Sequence, residues 1–290
     1  MHGKLLLVAA ALMVIPAFSN SNLNFAAPAG EKLKPEELIA KHLEAIGTPA
    51  ARAAVKNRMM NGSAQVIFRL GSRGQLTGKS TIASEGNKFR LGISFVNTEY
   101  SGEQIACDGK TVTAAEIRPG IRSNLTQFLY QNEFLVKDGL VGGVTSTNWF
   151  FLDLAGRQSK QKIEYAGLKN VDGKKLHELK YQVQKGASSF QISFYFDPVT
   201  FQHVLSVHNQ RIPTFGLTGG PPVGDQTEGF IRIREEFGAF KTVDGLTLPH
   251  SYKLVFSAEG QTRTFLADWV LDIAETRHNQ PLDPGLFKLQ

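Results

Sequence analysis

Seven histidines and one cysteine are the residues of this sequence best suited to hold a metal or carry a proton. No His-Glu-x-x-His pair and no Cys/His cluster occurs, so local spacing builds no zinc site. His203 and His208 lie five residues apart on a strand-like run, which would set them on opposite faces. His42, His177, His250 and His278 are isolated in the sequence. Cys107 is the single cysteine, which excludes an intramolecular disulfide. Its context, Gln104-Ile105-Ala106-Cys107-Asp108-Gly109, reads as a strand entering a turn, with the thiol as a small half-buried hydrophobe. There is no Gly-x-Ser-x-Gly elbow, and the glycines at 139–143 and 216–224 lack phosphate-loop spacing. The acid pairs Glu235-Glu236 and Asp268/Asp272 read as solvated carboxylates, the second on the polar face opposite Trp269. No catalytic residue, metal ligand or cofactor is therefore assigned, and the chain reads as a non-enzyme.

The elements around these residues follow from patterning. The chain has 290 residues, 42% hydrophobic and 20% charged, which suits a globular protein and argues against disorder. Phenylalanine is abundant, at 20 copies, as expected of a large apolar core or an apolar cavity. The net charge of +6 is spread without long Lys/Arg runs, which argues against nucleic-acid binding. Residues 1–19 carry Lys4, an apolar run from Leu5 to Ile15 and Ala17-Phe18-Ser19, the pattern of a cleaved signal peptide. No cysteine lies near the cleavage site, so no lipobox is expected. Residues 20–34 read as a flexible linker, and residues 35–290 as one domain in a periplasmic or otherwise exported compartment.

Lys34-Pro35-Glu36-Glu37 opens a helix whose apolar face is Leu38, Ile39, His42, Leu43 and Ile46, with Gly47 as its stop. A second short helix is expected over Pro49–Val55. From Arg58 the period becomes two: Val66, Phe68 and Leu70 share a face, as do Phe89, Leu91, Ile93 and Phe95. Phe190, Ile192, Phe194 and Phe196 repeat the pattern, as do Phe265, Ala267, Trp269, Leu271 and Ile273. Arg69 and Arg90 alternate with these faces and should point outward. Asn61-Gly62, Asp108-Gly109, Asp172-Gly173, Asp197-Pro198 and Asp244-Gly245 read as turn signals. The spacing is that of an antiparallel meander, with no room for parallel crossovers. Asn124–Gly139 breaks in with helical spacing, and Pro213–Gly229 is a long Gly/Pro-rich loop.

This layout resembles the periplasmic outer-membrane lipoprotein-sorting carriers, the LolA/LolB-like half-barrel superfamily. The resemblance lies in the exported leader, the helix ending Ala45-Ile46-Gly47, and a series of strand–turn phrases. These are Glu164-Tyr165-Ala166-Gly167 with Val171-Asp172-Gly173-Lys174, Phe194-Tyr195-Phe196-Asp197-Pro198, Val243-Asp244-Gly245-Leu246 and Leu282-Asp283-Pro284. It implies an α+β fold, a single curved antiparallel β-sheet wrapped over a few helices. It also implies a soluble transport protein of the cell envelope that binds a lipid or the acyl chains of a lipoprotein. Transient contact with a membrane or a membrane-protein partner would accompany transfer. The candidate wall of the apolar cavity is Phe68, Phe89, Phe95, Phe194, Phe237 and Trp269. The alternative is a non-enzymatic envelope sensor or protein-interaction module on the same fold.

Overall fold

In a computed structural model, residues 33–71, 74–147, 151, 162–183, 190–212, 229–260 and 264–289 are described. The leader of residues 1–19, most of the expected linker and the loop over 213–228 lie outside the described residues.

Two helices come first, α1 (Pro35–Ile46) and α2 (Pro49–Ala54). Each starts on a proline, whose missing N–H costs nothing in a first turn. Gly47 ends α1 because Gly245 O would lie 2.5 Å from any Cβ there. Five strands come next: β1 (Asn57–Leu70), β2 (Gly74–Glu85), β3 (Lys88–Phe95), β4 (Gly102–Cys107) and β5 (Val112–Ala114). The expected helical stretch forms α3 (Asn124–Gln131) and α4 (Phe134–Lys137), then a 3₁₀ turn at Gly143–Thr145. Strands resume as β6 (Lys162–Val171), β7 (Lys174–Gln182), β8 (Phe190–Phe196), β9 (His203–Ile212) and β10 (Gly229–Gly238). A small hairpin, β11 (Lys241–Val243) and β12 (Leu246–Leu248), precedes β13 (Ser251–Glu259) and β14 (Thr264–His278). A 3₁₀ turn at Pro284–Phe287 ends the described chain and packs against β3 and β4.

Twelve strands make one open antiparallel sheet, in the order β5-β4-β3-β2-β1-β14-β13-β10-β9-β8-β7-β6. This is the expected half-barrel. The chain winds outward from β1 to β5, then inward from β6 to β14, so its two arms meet at the long central pair β1–β14. Period-two alternation gives the sheet one apolar face. A single cross-strand row runs Tyr165, Leu179, Phe194, Ser206, Glu235, Leu254, Trp269, Val66 and Leu76. Every member between the two ends of that row is buried. Helices α1 and α3 supply Leu38, Ile39, Leu43, Ile46, Leu125, Phe128 and Leu129 to the same core.

The turns divide into two kinds. Asp172-Gly173 and Asp244-Gly245 have positive φ at both residues, as a type I′ hairpin requires. Asp108 and Asp197 instead accept hydrogen bonds from backbone amides two and three residues on. Asn61-Gly62 is not a turn. It lies within β1, where Ala274 of β14 is an unpaired bulge residue between the pairs Asn61–Glu275 and Gly62–Ile273. A glycine is required there because an added Cβ would fall 2.0 Å from Asp272 O. Gly62→Ala should therefore lower unfolding free energy by about 2–4 kcal/mol, read as a lower urea midpoint at unchanged slope. An unchanged midpoint would mean that β1 and β14 are not paired in this register.

Candidate functional site

Alternation places the six expected wall residues on the inner face, and packing divides them. Phe95 stacks on Tyr100 with centroids 5.6 Å apart, and Phe68 meets the same ring edge-on at 5.1 Å. Trp269 joins them by donating from Nε1 to Tyr100 Oη over 2.8 Å. Phe194 and Phe237 belong to a second group, with centroids 5.6 and 5.0 Å from His203. Phe151 and His42 complete that group. Phe89 is buried on β3 and lies against Gly142. Five of the six are 7% exposed or less, and Phe68 is half-buried, so their rings touch protein rather than open space.

Three buried polar side chains on this face belong to no motif in the sequence. Glu103 of β4 accepts hydrogen bonds from Tyr100 Oη, Ser123 Oγ and Thr126 Oγ1. Ser123 also caps α3, so one carboxyl fixes the start of that helix. Burial pushes the Glu103 carboxyl above its ordinary range, against the pull of those hydroxyls. Glu235 of β10 is fully buried and accepts from Gly142 N at 2.7 Å and Tyr252 Oη at 2.6 Å. Its other oxygen lies 3.1 Å from His208 Nε2. Arg58 of β1 donates from Nη1 to Val144 O at 2.6 Å and from Nε to His278 Nε2 at 3.1 Å. His278 Nδ1 in turn meets Asp244 Oδ2 at 2.9 Å, which fixes a neutral imidazole donating from Nδ1. Burial draws the Arg58 guanidinium down to about 10.

All three side chains grip one segment. Glu103 holds residues 123 and 126, Glu235 holds 142 and Arg58 holds 144. That segment is the connection from β5 to β6, the two opposite edges of the sheet.

Three expectations differ from the structure. His203 and His208 share the inner face, because Val204 bulges out of the pairing between Phe196–His203 and Tyr195–Leu205. One extra residue reverses the parity of every side chain beyond it. Glu235 is not solvated, since Ile233 and Phe237 flank it on the same buried side. Asp268 does face outward, opposite Trp269, but Arg69 and Lys253 cover it and it is buried. Arg69 and Arg90 lie on that outer side, as expected, the latter bonded to Leu286 O and Gln104. Cys107 is wholly buried, and burial raises its thiol above the ordinary range. Ser206 Oγ lies 2.9 Å from His203 Nε2, half of a hydrolytic pair. The opposite nitrogen, His203 Nδ1, is buried without a hydrogen-bond partner among the described residues, so none of their carboxylates orients the ring.

Burial draws the His42 imidazole from 6.5 down to about 3 and lowers His203 as well. The unfolded chain binds protons below 6.5 that the native chain refuses, so stability is lost as pH falls through that window. Glu103 acts oppositely, retaining in the folded chain a proton that the unfolded chain releases above 4.5. His177 and His278, drawn down by burial as well, add to the imidazole side of this balance. His42 alone should cost about 2 kcal/mol of unfolding free energy between roughly pH 7.5 and pH 5. Urea unfolding at the two pH values measures this, and equal or greater stability at the lower pH would contradict it.

No protein-family model matches this sequence, and no curated protein is found as a relative. Solved structures similar to it include a LolA superfamily protein from Nitrosomonas europaea, at 12% identity and a TM-score of 0.47. The match covers 88% of this chain and 98% of the other. An outer membrane lipoprotein-sorting protein domain from Vibrio parahaemolyticus is similar at 11% identity and a TM-score of 0.45, covering 86% and 95%. A DUF1329 family protein from Desulfovibrio piger is similar at 10% identity and a TM-score of 0.44, covering 89% and 98%. These include the lipoprotein-sorting half-barrels that the sequence resembles, and the likeness is one of fold.

Proposed function

We propose that this chain is a non-enzymatic carrier that takes a lipid, or the acyl chains of a lipoprotein, onto the inner face of its sheet. The observation that carries this reading is the construction of the cover over that face. The apolar surface is continuous across the sheet, yet the described part of one connection lies over it, tied down by Glu103, Glu235 and Arg58. An acyl chain needs only an apolar wall, and moving one segment would open it. The aromatic rings now pack on one another, so entry requires that the cover shift while the sheet stays intact. Among the described residues no helix is long and apolar enough to cross a membrane. With residues 1–19 removed as a signal peptide, the carrier would work in the periplasm or another exported compartment. The six aromatics Phe68, Phe89, Phe95, Phe194, Phe237 and Trp269 would form the wall that meets the ligand.

Native mass spectrometry of the protein purified from an exported compartment without detergent tests this. One phospholipid or acylated peptide per chain is the expected result. Phe194→Leu and Trp269→Phe, taken only where circular dichroism matches the parent, should weaken that adduct. A chain that is free of lipid, and remains so after incubation with membrane lipids and acylated peptides, would overturn the carrier reading. Capture of a protein partner by such a chain would favour the interaction module instead.

A further inference from the structure

Arg58 is a buried cation with most of its donors unused. Its guanidinium has five N–H groups. One goes to His278 and one to Val144 O, which leaves three without a partner among the described residues. The side chain is 5% exposed, and no carboxylate touches it, since Asp244 reaches it only through the neutral His278. The unpaired Nη2 of Arg58 is reached by solvent, so that is the end of an otherwise buried cation that is open to an anion. Arg58 also lines a small open cleft of about 40 Å³.

The other walls of that cleft match an anion with an apolar attachment. Arg52 brings a second guanidinium, and Ser146 and Thr147 bring hydroxyls. Arg52 is fixed in place because Nη1 bonds both Leu43 O and Gly47 O, at 2.5 and 2.6 Å, closing the end of α1. Ile46, Val55 and Leu246 form the apolar side. The N–H groups that the two guanidiniums leave unused outnumber the lone pairs of a carboxylate and suit the oxygens of a phosphoryl group, while the Thr147 hydroxyl is already bonded to Gly86 O.

We infer that the Arg52–Arg58 cleft binds a phosphoryl group, carried by a phospholipid headgroup or as free phosphate. The cleft shares Arg58 and residues 146–147 with the tied-down connection of the carrier reading, but phosphate binding is read without an acyl chain, so the two readings fail separately. The chain's net charge of +6 favours approach of either anion.

The full chain would be titrated with inorganic phosphate, with a short-chain phosphatidic acid below its micelle-forming concentration, and with the matching uncharged diacylglycerol. Phosphorus NMR and calorimetry would track binding at constant ionic strength. Binding of the two phosphoryl ligands is expected, weakened about tenfold by Arg58→Lys and by Arg52→Lys, which keep the charge and lose the fork. Arg90→Lys, on the outer side of the sheet, should bind as the parent does. Phosphatidic acid bound far more tightly than phosphate would assign the lipid headgroup, and equal binding would assign free phosphate; either upholds the site. Diacylglycerol bound as tightly as phosphatidic acid, with no phosphate binding, would overturn the site and leave the carrier reading standing. Lysine variants that fold and bind both phosphoryl ligands like the parent would also overturn it.

Discussion

The chain leaves the sheet at one edge and must re-enter it at the other. β5 and β6 are the outermost strands, and every residue between them has to pass from one side of a twelve-stranded sheet to the opposite side. The rest of the structure depends on how that crossing is made. The outward arm β1–β5 and the inward arm β6–β14 are each a run of neighbouring antiparallel strands, apart from the small β11–β12 hairpin. They are joined to one another at β1–β14, and the crossing connection bridges their far ends. The described part of the connection is fastened from below by side chains of the sheet, with α3 and α4 too short to hold themselves in place.

Apolar packing alone would make such a cover adhere but would not fix its position. Glu103, Glu235 and Arg58 supply directional bonds at three separate points along the segment, from β4, β10 and β1. Buried polar groups of this kind add little net stability, because desolvation offsets most of what the bonds return. They do penalise every arrangement that leaves them unpaired, and so define one resting position. Glu235 illustrates the point, standing in the middle of a row that is otherwise largely apolar, between Ser206 and Leu254. Tyr252 and His208 bond it from neighbouring strands, and the backbone N–H of Gly142 takes the second lone pair of Oε1. The described segment is thus held by directional bonds at three points.

Much of this is readable from sequence spacing. Period-two alternation locates the inner faces of β1, β3, β8 and β14, and proline and glycine mark both ends of α1. Asp172-Gly173 and Asp244-Gly245 identify two hairpins by their need for positive φ. The failures of parity at His203 and of the turn at Asn61-Gly62 both occur at bulges. Bulges at Val204 and Ala274 insert a residue that no local pattern announces, and each reverses the parity of the residues beyond it. Counted without the first bulge, His203 and His208 face apart, and the second makes Asn61-Gly62 a false turn. Arg58 shares parity with Met60, Glu103 with Ile105, and Glu235 with Ile233 and Phe237. A charged residue at the parity of the core is therefore visible in all three places. The partner is not, since each one bonds to a segment distant along the chain.

The account stands on the claim that the crossing segment is a separately movable cover and the sheet beneath it a fixed wall. Native-state hydrogen exchange across residues 123–147 and across β1 and β14 measures this directly. Amides of α3, α4 and the Gly143–Thr145 turn should exchange together and faster than those of β1 and β14, and bound lipid should change the first set alone. Exchange of both sets at the single slow rate of global unfolding would contradict the account, because the cover and the wall would then open only as one.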